Sequence, residues 1–480
     1  MFNSQCEDYL YFCLRTTIYM KNKILLNLIL LFIAAFTLTS CTSTDESCDA
    51  TYFGGHIINP KQNFVTLSKN DVIIDTIYLD SYNNFIAQVD VMEEGLYNFN
   101  HGIEFQYIYF KPKDSILIRL NTWDFDESLA FSGRGSEKNN FLITLYLQNE
   151  KEEQNFSPYY NLNSEKFEEK IASSKAMNNF LYEQLKESEI EITPKFDQLA
   201  QIAINYPLDR KKEFYPFIHK NRFQLNDYPT VSDTYFDFRK NVDLNQEEFI
   251  SFAPYYGYVS SYINVISYKN KQVDSNQTVV VLNTIIDNIT VERLKNMLLR
   301  QTIYNDFREA NLTCAINKEA LEIFNDNCTN EGFLNQINAL AADCDEITQN
   351  DNIDDFEVLS TTNEILKINS IIKNKKAVIY FWSPTIISPS MLVKKIKYLE
   401  LKYPKLVFVG INMDPTELSN KVNSKLRNQY SLPKTSSAHN FVKSLEPRTI
   451  LIDNKGIVTN SFTYLTSPNL ERQLTLLDEK

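Results

Sequence analysis

The sequence predicts a multidomain chain: antiparallel strands over residues 50–135, an α-helical region over 136–350, and an alternating α/β unit over 356–480. Three observations carry this. The chain has 480 residues, which as a soft prior means about three domains. It is 43% hydrophobic and 23% charged, enough to bury sizeable cores, which sets aside a disordered, collagen-like or disulfide-stapled protein. The apolar residues also change period along the chain, from two, to three-and-four, to short buried runs alternating with amphipathic stretches.

Composition narrows the chemistry. Lys and Arg number 48 against 61 Asp and Glu, a net charge of -13, so nucleic acid is not an expected partner. Four histidines leave little room for histidine-based metal or acid–base work, and ten glycines make glycine-rich phosphate loops unexpected. No catalytic or metal motif occurs, so no cofactor, no metal site and no catalytic residue are assigned.

The first element is an address. Met20 begins a complete export signal: Lys21 and Lys23, an apolar run from Ile24 to Leu38, then Leu38-Thr39-Ser40-Cys41. The apolar core is short for a membrane span. The Leu-Thr-Ser-Cys end resembles a bacterial lipobox, which implies cleavage before Cys41 and a diacylglyceryl group on its thiol. Residues 1–41 are then the lipoprotein signal and 42–49 a polar tether. The implied location is the cell envelope, with the body held to a membrane by lipid. Asp45 and Glu46 are similar to the acidic surface-export signals of Bacteroidetes-type lipoproteins.

Residues 50–135 come next. Phe105, Tyr107 and Tyr109 alternate with Gln106, Ile108 and Phe110, and Ile116, Ile118 and Leu120 alternate with Leu117 and Arg119. Period two broken by Lys111-Pro112-Lys113-Asp114 reads as antiparallel strands. The pattern Phe53-Gly54-Gly55, Leu79-Asp80, Gly95-Leu96-Tyr97 and Phe131-Ser132-Gly133 resembles the β-sandwich domain that precedes thioredoxin-like domains in Bacteroidetes lipoproteins. Gly133-Arg134-Gly135 lacks the third glycine of a phosphate loop and reads as a turn into a helix.

The middle region is helical by spacing. Phe249, Phe252, Tyr256, Val259, Ile263 and Ile266 share one face, with Pro254 and Gly257 starting or kinking that helix. Glu165 to Leu185, Val291 to Arg308 and Glu331 to Ala342 are further helices. Their aromatics read as core, with a ligand pocket the alternative. The acidic stretch Asp343 to Glu357 reads as a linker without the spacing of a calcium loop.

The last unit opens with a buried-type strand, Ala377 to Trp382. An amphipathic helix through Leu392, Ile396, Leu399 and Tyr403 follows, then a second strand, Leu406 to Asn412. A polar helix is expected after Pro415. A hairpin turns at Asn454-Lys455, and a final helix runs from Asn469 to Leu477. Three motifs stand in order here: Tyr380-Phe381-Trp382; Val407-Phe-Val-Gly410 with Asn412-Met413-Asp414; and Glu446-Pro447-Arg448-Thr449-Ile450-Leu451-Ile452-Asp453 with Gly456. Over this quarter of the chain the sequence resembles the TlpA/ResA-like branch of the thioredoxin superfamily. The resemblance implies a thioredoxin-like fold, a Trp-Cys-x-x-Cys loop at a helix N-terminus, and a cis-proline facing it.

The loop lacks that chemistry. It reads Phe381-Trp382-Ser383-Pro384-Thr385-Ile386-Ile387-Ser388-Pro389-Ser390, and counting from Phe381 the family's cysteines fall at Ile386 and Pro389. A serine hydroxyl cannot form the mixed-disulfide intermediate that exchange requires. Ser388-Pro389 reads instead as a helix N-cap followed by proline in the first turn. Pro447 matches the family's cis-proline, so the Glu446–Pro447 bond is expected to be cis. Relatives pair the backbone before this proline with an extended peptide, a mode that needs no cysteine. Trp382, Thr385, Ile386, Pro389, Glu446 and Pro447 are therefore candidates for a degenerate loop and shallow peptide groove, or for a structural remnant.

Cys48, Cys314, Cys328 and Cys344 remain beyond Cys41, at spacings that match neither a redox pair nor a zinc site. Two of the last three are expected to form a disulfide. Three functions stay open: a redox-inactive, lipid-anchored binding or scaffolding protein for envelope proteins or peptides; a TlpA-like thiol-disulfide oxidoreductase using cysteines outside the loop; and a purely structural envelope protein.

Overall fold

The computed structural model describes residues 50–91, 93–271, 275–309, 317–414, 420–444 and 447–479. The signal, Cys41, the tether 42–49, Cys48, Cys314 and Glu446 lie outside the described residues.

Eight strands come first. β1 (Thr51–Ile58), β4 (Asn84–Val89), β7 (Ser115–Asn121) and β8 (Ala130–Arg134) form a sheet in the order β4-β1-β7-β8. β2 (Phe64–Lys69), β3 (Val72–Tyr78), β5 (Gly95–His101) and β6 (Glu104–Phe110) form another in the order β3-β2-β5-β6. Alternate side chains of both sheets meet in one core. At its centre Phe53 has the rings of Phe85, Phe99 and Phe110 at 5.2, 5.8 and 5.8 Å. One pairing departs from the antiparallel expectation: β1 and β7 are parallel, from Tyr52↔Ser115 to Ile58↔Asn121. The long route between them through the other sheet allows this, and period two reports which face is buried, not strand direction.

The helices follow: α1 (Phe125–Ser128), α2 (Ser136–Phe156), α3 (Ser164–Glu187), α4 (Pro194–Phe223), α5 (Ala253–Asn270), α6 (Gln277–Asn288), α7 (Glu292–Glu309), α8 (Lys318–Asn327) and α9 (Glu331–Asp345). Side-chain N-caps set five starts, with Asn163, Thr193, Asn276, Asn317 and Asn330 accepting from backbone N–H groups of the first turn. Pro254 stands in the first turn of α5, which runs through Gly257. The helical core also takes in Tyr107 and Tyr109 from β6, and Phe462 and Tyr464 from the last strand of the chain. One apolar cluster thus joins all three regions.

The C-terminal elements are β9 (Glu357–Leu359), β10 (Ile365–Lys367), α10 (Ile368–Ile372), β11 (Ala377–Trp382), α11 (Pro389–Lys402), β12 (Val407–Asn412), α12 (Asn420–Asn423), β13 (Gln429–Ser431), β14 (Arg448–Ile452), β15 (Val458–Tyr464) and α13 (Leu470–Glu479). The residues just after Pro415, where a polar helix is expected, lie outside the described residues. The seven strands form one mixed sheet, β10-β9-β13-β12-β11-β14-β15, with β11, β12 and β13 parallel and β14 antiparallel to β11. β11 is buried on both faces. Val378, Tyr380 and Trp382 pack on Leu392, Ile396 and Leu399 of α11 and Leu470 and Leu474 of α13. Ile379 and Phe381 pack oppositely, with Phe356, Ile368 and Phe441.

The acidic stretch is not a linker. Asp343 is 1% exposed within α9, and Ile347, Ile353 and Phe356 belong to the C-terminal core. Its backbone pairs with β15: Asn350 N donates to Val458 O at 2.8 Å, and Val458 N to Asp351 O at 2.9 Å. Beyond Asp343, Glu346, Asp351, Asp354 and Asp355 face outward and mask a few well-placed apolar residues.

Candidate functional site

The site is where β11 ends and α11 begins. Trp382 O accepts from Met413 N at 2.9 Å, which holds the strand end beside β12. The chain then turns tightly. Ile386 N and Ile387 N both donate to Ser383 O, at 3.1 and 3.0 Å, and the Ser383 and Thr385 hydroxyls lie 2.7 Å apart. Ser388 caps α11, its hydroxyl accepting from Met391 N at 3.3 Å, with Pro389 in the first turn. The cap and proline that the sequence specifies are therefore the local structure.

Exposure divides the candidate residues. Thr385 and Ile386 are exposed, with Ile386 at 49% and neighbouring Met391 at 62%, and Pro389 is half-buried. Trp382 is wholly buried in the core beneath α11, and its indole N–H has no hydrogen-bond partner among the described residues. It cannot wall a peptide groove as expected, because strand alternation turns it under the helix. The β11–β14 ladder ends at Tyr380↔Thr449. Half-buried Pro447 immediately precedes β14, at the end of the sheet where β11 runs into the loop. The expected cis bond involves Glu446 and falls outside the described residues.

The helix end here still favours an anion by its free N–H groups. The side chains around it are hydroxyl and aliphatic. They can donate and accept hydrogen bonds and offer apolar contact, and none is a nucleophile toward a disulfide.

A cluster that sequence reasoning missed lies directly beside Pro447. Arg448 is 1% exposed. Its Nε donates to Ser461 O at 2.8 Å, and its Nη1 donates to Asp343 O and Phe441 O, both at 2.7 Å. The rings of Phe462 and Phe441 lie 5.1 and 5.7 Å from its guanidinium carbon. Burial pushes this guanidinium down to about 10, so it remains charged at neutral pH. The Asp343 carboxylate accepts from Lys443 N at 2.7 Å, Ser444 N at 2.9 Å and the Ser444 hydroxyl at 2.6 Å. The last helix of the middle region thus grips the segment leading to Pro447. The signal available was a lone charged residue opening a strand otherwise of threonine and aliphatic residues.

Cys344, next to Asp343, is disulfide-bonded. Cys328 is a free, buried thiol, and burial pushes it up from its ordinary value. Cys328 is therefore not in the expected disulfide. Among the described residues no group of three or more His, Cys, Asp or Glu is placed to hold a metal ion. None of the described helices is long and apolar enough to cross a membrane.

A second cleft, also not foreseen, lies between α3, α4 and the segment around Phe238. Asp209, Lys175 and Lys212 line it. Burial pushes the Asp209 carboxyl up to about 7.

No family model matches the chain, and no curated protein matches it. Solved structures similar to part of it include the thioredoxin domain of a thiol-disulfide oxidoreductase from Bacteroides vulgatus, at 16% identity, covering 28% of this chain and 99% of that one, with a TM-score of 0.23. A thiol:disulfide interchange protein from a Bacteroides species is similar at 16% identity over 28% of this chain and 92% of its own, with a TM-score of 0.23. A secreted disulfide oxidoreductase from Mycobacterium tuberculosis is similar at 15% identity over 26% of this chain and 96% of its own, with a TM-score of 0.20.

Proposed function

We propose that this chain is a lipid-anchored envelope protein whose thioredoxin-like unit binds extended polypeptide and does not exchange disulfides. The observation that carries the reading is the loop itself. Where exchange needs two thiols at a helix N-terminus, this chain has Ile386 and Pro389, and no cysteine follows Cys344. What supports binding is the exposed apolar pair Ile386 and Met391, just before and within the first turn of α11, where the sheet's β11 ends. The anchor would be Cys41, and the envelope the location. The test is an insulin-disulfide reduction assay alongside peptide binding, using the chain without its leader. The reading expects no reduction above background, and a Kd for unfolded polypeptide that weakens on Ile386→Asp.

A second reading, a thiol-disulfide oxidoreductase working through cysteines outside the loop, is favoured by one observation. The Cys344 disulfide adjoins the Asp343 contact to the segment before Pro447. Reduction of insulin that disappears on Cys344→Ser would establish this enzyme and end the first reading.

A further inference from the structure

The first unit is covered on one side only. Its β3-β2-β5-β6 sheet gives Tyr107 and Tyr109 to the helical core. The outward side chains of the other sheet, Ile86, Gln88, Leu117, Arg119 and Ser132, are exposed. Ile86 and Leu117 flank Gly54 in the sheet, and they close over it so tightly that an added Cβ would lie 3.1 and 3.0 Å from them.

The two ends of this unit also differ. The end where β1 begins is held by the helical region: Lys111 pairs with Glu191 of the α3–α4 connection at 2.5 Å, and Asp71 in the β2–β3 turn pairs with Arg293 of α7. The end where β1 finishes gathers loops. His56↔Asn84 and Ile58↔Asn121 bring the β3–β4 loop and the turn after β7 there. Lys61 N donates to His101 Nε2 at 2.9 Å and brings the β5–β6 turn. These loops carry Tyr82 at 77%, Trp123 at 73% and Ile103 at 81% exposure, and Ile86 beside them is at 67%. Large apolar groups gathered on neighbouring loops, rather than scattered singly, mark an interaction surface. Tyr and Trp together are the residue types of the water–bilayer boundary, where an apolar ring meets lipid and a polar edge meets water.

The occupant follows from the chain that leads in. If Cys41 is lipidated, residues 42–49 reach about 26 Å from the membrane to the start of β1. β1 itself spans about 26 Å. The tether is therefore long enough for the unit to lie against the bilayer, and too short to carry it away. Asp80, Glu104 and Asp124 sit among the same loops, and the chain has a net charge of -13, so an anionic surface is disfavoured. We propose that the uncovered face and free tip of the first unit, centred on Tyr82, Ile86 and Trp123, seat on a zwitterionic lipid surface. The orientation rests on the lipid-anchor reading of Cys41.

The chain has two tryptophans, and Trp382 is wholly buried, so fluorescence changes at an exposed indole report Trp123. The chain from Thr42 onward keeps every described residue and lacks the lipid site. Mixed with phosphatidylcholine–phosphatidylethanolamine vesicles, it should sediment with them. Its emission should move to shorter wavelength, and acrylamide quenching should fall. Tyr82→Ser with Trp123→Ser, judged by sedimentation and with circular dichroism confirming the fold, should partition at least about tenfold more weakly. Unchanged emission and no sedimentation at saturating lipid would overturn the proposal. So would equal sedimentation of the double variant, binding confined to phosphatidylglycerol vesicles, or a concentration-dependent shift without lipid, which would give the face to a second copy. None of these outcomes bears on the anchor, which acyl labelling with a Cys41→Ser control tests separately.

Discussion

Arg448 shows what a single residue does in this fold. Its charge is buried, and it donates three hydrogen bonds to backbone carbonyls drawn from α9, the segment at Phe441 and β15. Removing it leaves three buried acceptors without a donor, and bonds from charged donors are worth about 1.5–3 kcal/mol each. Arg448→Ala should therefore lower unfolding stability by at least about 3 kcal/mol, measured by chemical denaturation. Lysine should rescue little, because a point charge cannot reach three directions at once. Asp209 gives a pH prediction of defined sign. Its folded value, about 7, lies above the ordinary 3.8, so the folded chain holds an extra proton between roughly pH 4 and 7. Stability should be greatest below that window and decline as pH rises through it. Asp209→Asn should flatten this slope and stabilise the chain by about 1 kcal/mol or more at pH 8. Neither role was legible in the sequence. Each depends on a contact across the fold, Arg448 with Asp343 of α9 and Asp209 with Lys175 of α3, and a charge in a sequence does not name its partner.

At the scale of elements the sequence was far more informative. The helices expected at Glu165–Leu185, Val291–Arg308 and Glu331–Ala342 are Ser164–Glu187, Glu292–Glu309 and Glu331–Asp345. Their apolar spacing is local, and the asparagine caps of the first and third, Asn163 and Asn330, are local too. The Ser388 cap was legible for the same reason, and Ser388→Ala should cost about 1 kcal/mol. What spacing could not supply was pairing direction, as in parallel β1 and β7, or which side of a strand meets a helix, as for Trp382. The loop of α11 makes a sharper test possible. If the strand–turn–helix is the redox scaffold with its sulfur removed, Ile386→Cys with Pro389→Cys places two thiols at a capped helix end. The first thiol should titrate below the free value of about 8.5, followed by pH-dependent alkylation, and the double variant should reduce insulin while each single variant does not. Failure of the double variant to form an intramolecular disulfide would mean that the loop no longer has that geometry.

For the whole molecule, the tie between the middle region and the C-terminal sheet is the main feature. The Asp343 carboxylate binds two backbone N–H groups and a hydroxyl across that junction, and Phe462 and Tyr464 enter the helical core. Wild-type chain should unfold the two regions together. Asp343→Ala should cost about 2–4 kcal/mol and split the thermal transition in two, seen by calorimetry. Composition hid this junction. The stretch after Asp343 is rich in acids, and counting charges could not show that Ile347, Ile353 and Phe356 point inward.

Removing everything before residue 356 would strip Ile347 and Ile353 from the hydrophobic centre beneath the sheet and leave Val458 without its backbone neighbour. Such a fragment would expose sticky interior surface, and material it captured from an extract would report that damage. A dissection that respects how this protein is assembled has to cut upstream of α9, carrying the helix and its aspartate along with the strands they secure.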